Sequence, residues 1–181
     1  MSDFSSETIR HIYSLKDFQM ALSAADFLSE LDADKTYSKI QLRKYKCFET
    51  TMITAYARPF SQSHGNIPRL NLSELQAELS KDQMVPHKKL LELRNKVFAH
   101  SDGDKIRMRI NLHSIGDNES GKLNFPEFIF DEALYFYGVL EINSVINLIR
   151  RMMHALVNTL LPQIQKLPDD FSYTKDYLYP E

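Results

Sequence analysis

Apolar residues recur at steps of three or four through the first part of the chain, the spacing that places side chains on one face of an α-helix. The stripe consists of Ile9, Ile12, Leu15, Phe18, Leu22, Ala25 and Leu28. Ser5 or Ser6 can cap its start, because a serine hydroxyl accepts a hydrogen bond from a free backbone amide of the first turn. The stripe ends near residues 31–34, so the pattern predicts a first helix that serves as scaffold or as a dimer face.

A second helix is predicted from about Asp34 or Lys35 to Arg58. Its broad apolar side consists of Tyr37, Ile40, Tyr45, Phe48, Met52 and Ala55. Pro59 stops it, because proline lacks an amide donor and disfavours helix in the residue before it. Arg58 has two interpretations at this helix end: a C-terminal cap that complements the helix dipole, or a cation that binds phosphate.

Two further helices are predicted between residues 74 and 100. A short one covers residues 74–80, where Ser73 followed by Gln76 fits the capping-box pattern. The next one starts near Pro86, because proline suits the first turn of a helix, and it runs to about His100.

The period changes from helical to alternating between about residues 104 and 130. Apolar positions at Ile106, Met108, Ile110 and Leu112 alternate with Arg107, Arg109 and Asn111. This alternation predicts a half-buried strand with a basic outer face. Residues 116–121 are predicted to form a turn, and residues 123–130 could return as a second strand that Pro126 confines to an edge. We therefore expect one inserted β-hairpin at about 104–130.

A long last helix is predicted from Asp131 through Leu161, with an apolar stripe along its length. His154 lies on or near that stripe, where a packed core histidine is favoured over a site residue. The tail at about 162–181 carries aromatic side chains that we expect to tie it to the body or to a partner subunit. The fold class is thus all-α: a single domain over 1–181, built as an up-and-down bundle of about five helices with one hairpin.

Composition limits the setting of the protein. Cys47 is the only cysteine, which excludes an internal disulfide and a cysteine-based zinc site and suits a reducing cytoplasm. There is no run of 18 apolar residues, and the N-terminus is acidic and polar. We therefore expect a cytoplasmic protein with no membrane span and no secretory signal.

Charge is distributed unevenly although the net charge is only −2. The segment Lys81–Arg109 holds eight Lys and Arg against four acids, which leaves the rest of the chain acidic. Lys35–Lys46 holds five Lys and Arg and no acid. An anionic ligand would meet a local positive field at these segments. The alternative is that both are solvated helix faces.

The stretch Leu90–Gly103 combines an apolar stripe with polar groups that a plain core helix does not need. Arg94, Asn95 and His100 supply a cation, an amide and an imidazole within seven residues. On a regular α-helix, Arg94 and His100 lie about 120° apart around the axis and about 9 Å apart along it. One copy of the pair makes a cramped site, which a second copy across a twofold dimer axis would widen.

Other catalytic sets are missing from the sequence. It contains no Cys/His or His-x-x-x-His set for a metal, no Gly-x-Ser-x-Gly nucleophile and no Walker loop. The six histidines are scattered, and none pairs with another at metal-ligand spacing on one helix face. We expect no metal and no cofactor.

The segment Arg94–His100, RNKVFAH, resembles the Arg-x(4–6)-His signature of the HEPN superfamily, the higher eukaryotes and prokaryotes nucleotide-binding domains. The polar residue directly after the arginine and the place of the motif on a late helix, before the final long one, are also similar. The resemblance covers much of the chain, whereas the hairpin at 104–130 is an insertion without a counterpart. It implies a small helical domain that forms a homodimer and acts on RNA without a metal, in toxin–antitoxin, abortive-infection or phage-defence systems.

The resemblance also implies roles for the three residues. His100 would act as general acid or base on the ribose 2′-hydroxyl or the leaving oxygen, because its pKa lies near neutrality. Arg94 would bind the scissile phosphate and its developing charge. Asn95 would hold the pair in place. The products would end in a cyclic phosphate and a 5′-hydroxyl.

Further expectations rest on charge or on a departure from the family. Lys96, Arg107, Arg109 and Arg58 could guide the RNA backbone, which rests on charge alone. One toxin branch of the family has a tyrosine two residues after the histidine, which its antitoxin modifies. Here that position is Asp102, which argues against this control and leaves the identity of any antitoxin protein open.

Three functions stay open from the sequence. The first is the ribonuclease, and the second is a non-catalytic HEPN-like module that binds nucleotide or RNA. The third is a dimerisation protein whose basic segment contacts an acidic partner. In the non-catalytic cases, Arg94 would pair with a nearby acid and His100 would sit at a helix C-terminus, where a cation is favoured.

Overall fold

A computed structural model of the chain describes residues 4–32, 34–62, 67–73, 75, 78–98, 108–116, 123–130 and 133–166. Within these residues the protein is mostly helical, with four α-helices and one antiparallel hairpin. The elements are α1 (Ser6–Ser29), α2 (Lys39–Ala57), α3 (Lys81–Leu93), β1 (Met108–Ile115), β2 (Leu123–Phe130) and α4 (Val139–Ile164). The predicted helical class with one hairpin is confirmed, whereas the predicted helix count of about five is one too high for the described residues.

Serine caps set where α1 and α2 begin. The Ser5 hydroxyl accepts a hydrogen bond from the Thr8 amide at 3.1 Å. Ser38 forms a full capping box with Gln41, in which each side chain takes up the other residue's free amide. α2 ends at Ala57, and the chain continues as a short 3₁₀ turn, Arg58–Phe60, which contains Pro59.

Aromatic contacts show that α1 and α2 run antiparallel. Phe27 stacks on Phe48 with ring centroids 4.8 Å apart, and Phe18 packs on Tyr56 at 5.4 Å. Between these two contacts, the residue number increases along α1, from Phe18 to Phe27, and decreases along α2, from Tyr56 to Phe48. The two helices therefore run in opposite directions. Burial of such large apolar side chains supplies most of the driving force for packing.

The hydrophobic core lies between the four helices. Its largest fully buried side chains come from all of them: Tyr56, Phe18, Phe136, Leu28, Met52, Ile53, Leu90, Ile142, Leu148, Ile149, Met152 and Leu156. Most of the apolar stripes predicted for α1, α2 and α4 therefore face one common core, whereas Ile12, Ile40 and Leu140 are exposed.

The short helix predicted over 74–80 is wrong for the residues that the structure describes in this region. Residues 67–73, 75 and 78–80 form turns and extended chain. Leu70 and Leu75 are buried, so these leucines anchor a loop on the core instead of forming one face of a helix. Ser80 caps α3 rather than ending a helix before it.

The last helix begins later than predicted, at Val139 rather than Asp131. Residues 133–138 form a non-helical segment. The carboxylate of Glu49, which is fully buried in α2, accepts hydrogen bonds from the backbone amides of Tyr135 and Phe136. Those amides are thereby satisfied outside a helix, and α4 starts only after Gly138, whose φ of 117° suits glycine.

The hairpin is more exposed to solvent than predicted. β1 and β2 pair in register from Met108 opposite Phe130 to Ile115 opposite Leu123. The prediction of a half-buried strand is wrong, because no strand residue with a described side chain is buried. The apolar side chains of Met108, Ile110 and Phe128 stay 50%, 51% and 53% exposed.

Candidate functional site

The helix that carries the Arg94 motif starts at Lys81, not near Pro86. The Ser80 hydroxyl accepts the Gln83 amide at 3.2 Å, and the Gln83 side chain accepts the Ser80 amide at 3.1 Å. This capping box begins the helix upstream, so Pro86 lies inside α3, where it is buried. Leu90 is fully buried in the core, which fixes the face that α3 turns inward.

Arg94 stands where α3 changes its hydrogen bonding. The Arg94 amide donates to the carbonyls of both Leu90 and Leu91, and residues 94–98 then continue as a π-helical turn. π-Helical turns within α-helices are frequent at functional sites. The 120° separation predicted for Arg94 and His100 assumed regular α geometry, so it does not apply to this segment.

The Arg94 guanidinium is oriented by its neighbour. Its Nη1 donates to the side-chain oxygen of Asn95 at 3.0 Å. Arg94 is half-buried and Asn95 is exposed. Within the described part of the chain, no carboxylate pairs with Arg94. The alternative that a nearby acid neutralises Arg94 therefore has no support among the described residues.

Lys96 is exposed and engaged with a residue of its own helix. Its ammonium lies 2.9 Å from the Glu92 carboxylate, one turn earlier, and both side chains are about half exposed. Surface pairs of this kind contribute at most about 1 kcal/mol. Lys96 can therefore exchange Glu92 for a phosphate at small cost, and its expected role in guiding RNA stays a prediction.

Arg58 is committed to a partner that sequence reasoning missed. Its Nη1 donates to the Asp17 carboxylate at 2.6 Å, across the α1–α2 interface. Burial raises the pKa of Asp17, while Arg58 and Arg10 oppose that rise. Arg58 thus compensates a largely buried charge, although 64% of its own side chain stays exposed. Its predicted contact with phosphate stays a prediction.

The remaining predicted residues divide between the hairpin and the undescribed chain. Arg109 is exposed on β1. It shares a strand face with Asn111 and His113, whose side chains both contact the Glu127 carboxylate. His100, Asp102 and Arg107 lie outside the described residues, so their places relative to Arg94 stay predictions.

Polar contacts hold α3 firmly against its neighbours. The Tyr56 hydroxyl of α2 lies 2.7 Å from Nδ1 of His87, and both side chains are buried. The Lys89 ammonium binds the carboxylate of Glu141 on α4 and the carbonyl of Tyr135. The base of the Arg94 turn is therefore a rigid element, as a positioned cation requires.

The prediction that His154 is a packed core residue is wrong. The apolar stripe of α4 suggested a packed core histidine, but His154 is exposed and contacts the Asn158 amide. Met152 and Leu156, two residues to either side, take the core positions. The available signal was the polar series Arg151, His154 and Asn158, whose helical spacing marks a second face.

Comparison of the chain with known protein families, characterised proteins and solved structures gave no match. No helix among the described residues has the length and apolar content needed to cross a membrane. The described residues also contain no group of three or more His, Cys, Asp or Glu side chains placed to hold a metal ion.

Proposed function

We propose that the protein is a metal-independent endoribonuclease of a toxin–antitoxin or phage-defence system. One observation carries the proposal: Arg94 is held by Asn95 at a π-helical turn, without a described acidic partner. An arginine in that state keeps its donors available for a phosphate. His100, six residues later, supplies the group that moves protons.

The proposed reaction is a transesterification within the RNA. The ribose 2′-oxygen attacks the phosphorus and the bond to the 5′-oxygen breaks, which leaves a 2′,3′-cyclic phosphate and a 5′-hydroxyl. His100 takes the 2′-hydroxyl proton or gives a proton to the leaving oxygen. Arg94 binds the phosphate oxygens that gain negative charge in the transition state. A second His100 across a dimer axis would let one imidazole act as base and the other as acid.

The same proposal includes the compartment, the oligomeric state and the partners of the enzyme. It acts as a cytoplasmic homodimer of up-and-down bundles, and an antitoxin protein is a further partner. The exposed apolar face of the hairpin offers a contact for a second copy, because apolar surface gains by burial against like surface. Lys96, Arg107, Arg109 and the exposed part of Arg58 guide the RNA strand.

The test is cleavage of RNA by the purified full-length protein in EDTA. We expect Arg94→Ala and His100→Ala to reduce the cleavage rate by at least about a hundredfold, as expected for loss of charge stabilisation or acid–base catalysis. Matched controls are Arg150→Ala and His113→Ala, which remove an exposed arginine and an exposed histidine elsewhere. They should cleave at the wild-type rate.

Two results would overturn the proposal. Cleavage that survives both Arg94→Ala and His100→Ala would mean that another group or a contaminant cuts the RNA. Salt-sensitive RNA binding without any product would instead identify the non-catalytic binding module. Circular dichroism spectra of all four variants should match the wild type, so that lost cleavage is not lost folding.

A further inference from the structure

A cavity of about 440 Å³ lies on α4, on a part of the protein that the proposed ribonuclease chemistry does not use. Arg151, His154, Asn158 and Thr159 line it from the helix, and Leu75 closes it from the loop that precedes α3. Leu75 is buried and belongs to the same core cluster as Ala155 and Leu156 of α4. The cavity is therefore formed by two elements that the core holds together.

The polar lining is rich in hydrogen-bond donors. The side-chain amide nitrogen of Asn158 lies 3.2 Å from Nδ1 of His154. An amide nitrogen only donates, so Nδ1 accepts and the neutral imidazole carries its proton on Nε2. Nε2–H and the guanidinium of Arg151 remain to bind a ligand. The hydroxyl of Thr159 donates to the carbonyl of Ala155 at 2.9 Å, which leaves its oxygen as an acceptor.

The lining that the structure describes contains no acidic side chain. A guanidinium, an imidazole and an amide on one side of a cavity favour an oxyanion as the ligand. The volume exceeds the need of an inorganic oxyanion and lies in the range of small-molecule sites. Leu75, Ala155 and Pro162 add apolar surface on which an organic group can rest.

We propose that this cavity binds a small organic phosphate monoester, such as a nucleoside 5′-monophosphate. The guanidinium of Arg151 binds the phosphate, and Nε2–H of His154 donates to a second phosphate oxygen. Asn158 holds the His154 ring in the tautomer that donates. Leu75, Ala155 and Pro162 contact the organic part. The site does not depend on the ribonuclease proposal, since it shares no residue with the Arg94 turn.

The probe is adenosine 5′-monophosphate, titrated into the full-length protein and followed by calorimetry and by the NMR signals of the histidine rings. We expect saturable binding that shifts the His154 ring signals, whereas adenosine without phosphate binds at least tenfold more weakly. Arg151→Met should weaken binding of the monophosphate at least tenfold, a change of about 1.4 kcal/mol. Because Arg151 is exposed, this variant should unfold at the wild-type temperature.

Two control variants separate this site from other cations. Arg150→Met removes the neighbouring exposed arginine, which does not line the cavity, and Arg94→Ala removes the proposed catalytic cation. Arg150→Met should bind the monophosphate as the wild type does, and in Arg94→Ala the monophosphate should still shift the His154 ring signals. Equal binding by Arg151→Met and wild type, equal binding of adenosine, or no binding tighter than about 1 mM would each overturn the proposal. Loss of binding in Arg94→Ala with full binding in Arg151→Met would assign the phosphate to the other site.

Discussion

Two buried polar side chains on α2 and α3, Tyr56 and His87, contact each other, and burial shifts the pKa of both. Burial raises the pKa of Tyr56, so its phenol stays protonated, and its oxygen lies 2.7 Å from Nδ1 of His87. Burial, together with the nearby Lys88, lowers the pKa of His87 from its usual 6.5. The imidazole is therefore held in its neutral form, and one hydrogen bond links it to the Tyr56 hydroxyl. This pair joins α2 to the helix that carries Arg94.

The lowered pKa of His87 predicts how stability depends on pH. Below about 6.5 the unfolded chain binds a proton at this position that the folded protein resists. The free energy of unfolding should therefore be highest above pH 6.5 and fall as pH drops through the folded pKa. Urea unfolding of the wild type and of His87→Gln between pH 7.5 and 5.5 measures this. A difference between the two proteins that does not change with pH would contradict the assignment.

Single residues also show what sequence reasoning reaches. The adjacency of Arg94 and Asn95 was visible in the sequence, and the two side chains do contact each other. The partner of Arg58 was not visible, because Asp17 is 41 residues away and only the α1–α2 packing brings it close. The prediction for His154 is wrong for a different reason. A shift of two residues along a helix is enough to move a side chain from the core to the surface.

At the scale of elements, one buried carboxylate joins α2 to the segment before α4. Glu49 accepts the amides of Tyr135 and Phe136, and the Lys46 ammonium lies 2.7 Å from it. Lys46 also binds the carbonyl of Ala133 and rests on the Tyr135 ring. A buried charge with several donors is stable, but it becomes costly when a partner is lost.

We therefore predict that Glu49→Ala lowers the free energy of unfolding by about 3 kcal/mol, because buried amides lose their acceptor. Glu49→Gln keeps the shape and one acceptor oxygen, so its loss should be smaller. Urea denaturation measures both. The control is Glu127→Gln on the exposed hairpin, which should leave the free energy of unfolding close to that of the wild type. If Glu49→Ala were as stable as this control, the segment 133–138 would not depend on Glu49.

The element boundaries show why the sequence could not give the whole fold. The stripes of α1, α2 and the later part of α4 were readable because helical periodicity is local. The start of α4 depends on Glu49, which lies far back in the chain, and the pattern around Leu134 continued without a visible break. Leu72, Leu75 and Leu79 are likewise spaced as in a helix, yet the described residues around them are not helical, and the leucines pack on the core from there.

At the scale of the whole molecule, the hairpin is the feature that one chain leaves incomplete. A two-stranded sheet is only marginally stable in water. Met108, Ile110 and Leu112 share one face with Phe128 and Pro126 across the pair, and the exposed fractions of Leu112 and Phe128 are 74% and 53%. A second copy can cover this face with its own, as the proposed twofold dimer requires.

We predict that the wild type is a dimer in solution and that Ile110→Lys shifts it to monomer at micromolar concentration. A charge at the centre of an apolar contact must be desolvated, which opposes association. Sedimentation equilibrium measures the shift. Ile115→Lys places the same charge on the opposite strand face, where Ile115 is also exposed, and should stay dimeric. A monomeric wild type, or equal behaviour of the two variants, would rule out this face as the dimer contact.

The central claim is that the protein breaks RNA through the ribose 2′-hydroxyl, with Arg94 and His100 and without a metal. The most direct measurement is the end-group analysis of its products by mass spectrometry, with a short RNA and its all-2′-deoxy counterpart, both in EDTA. We expect a 2′,3′-cyclic phosphate and a 5′-hydroxyl from the RNA and no cleavage of the deoxy strand. Products with a 5′-phosphate, or cleavage of the deoxy strand, would contradict it.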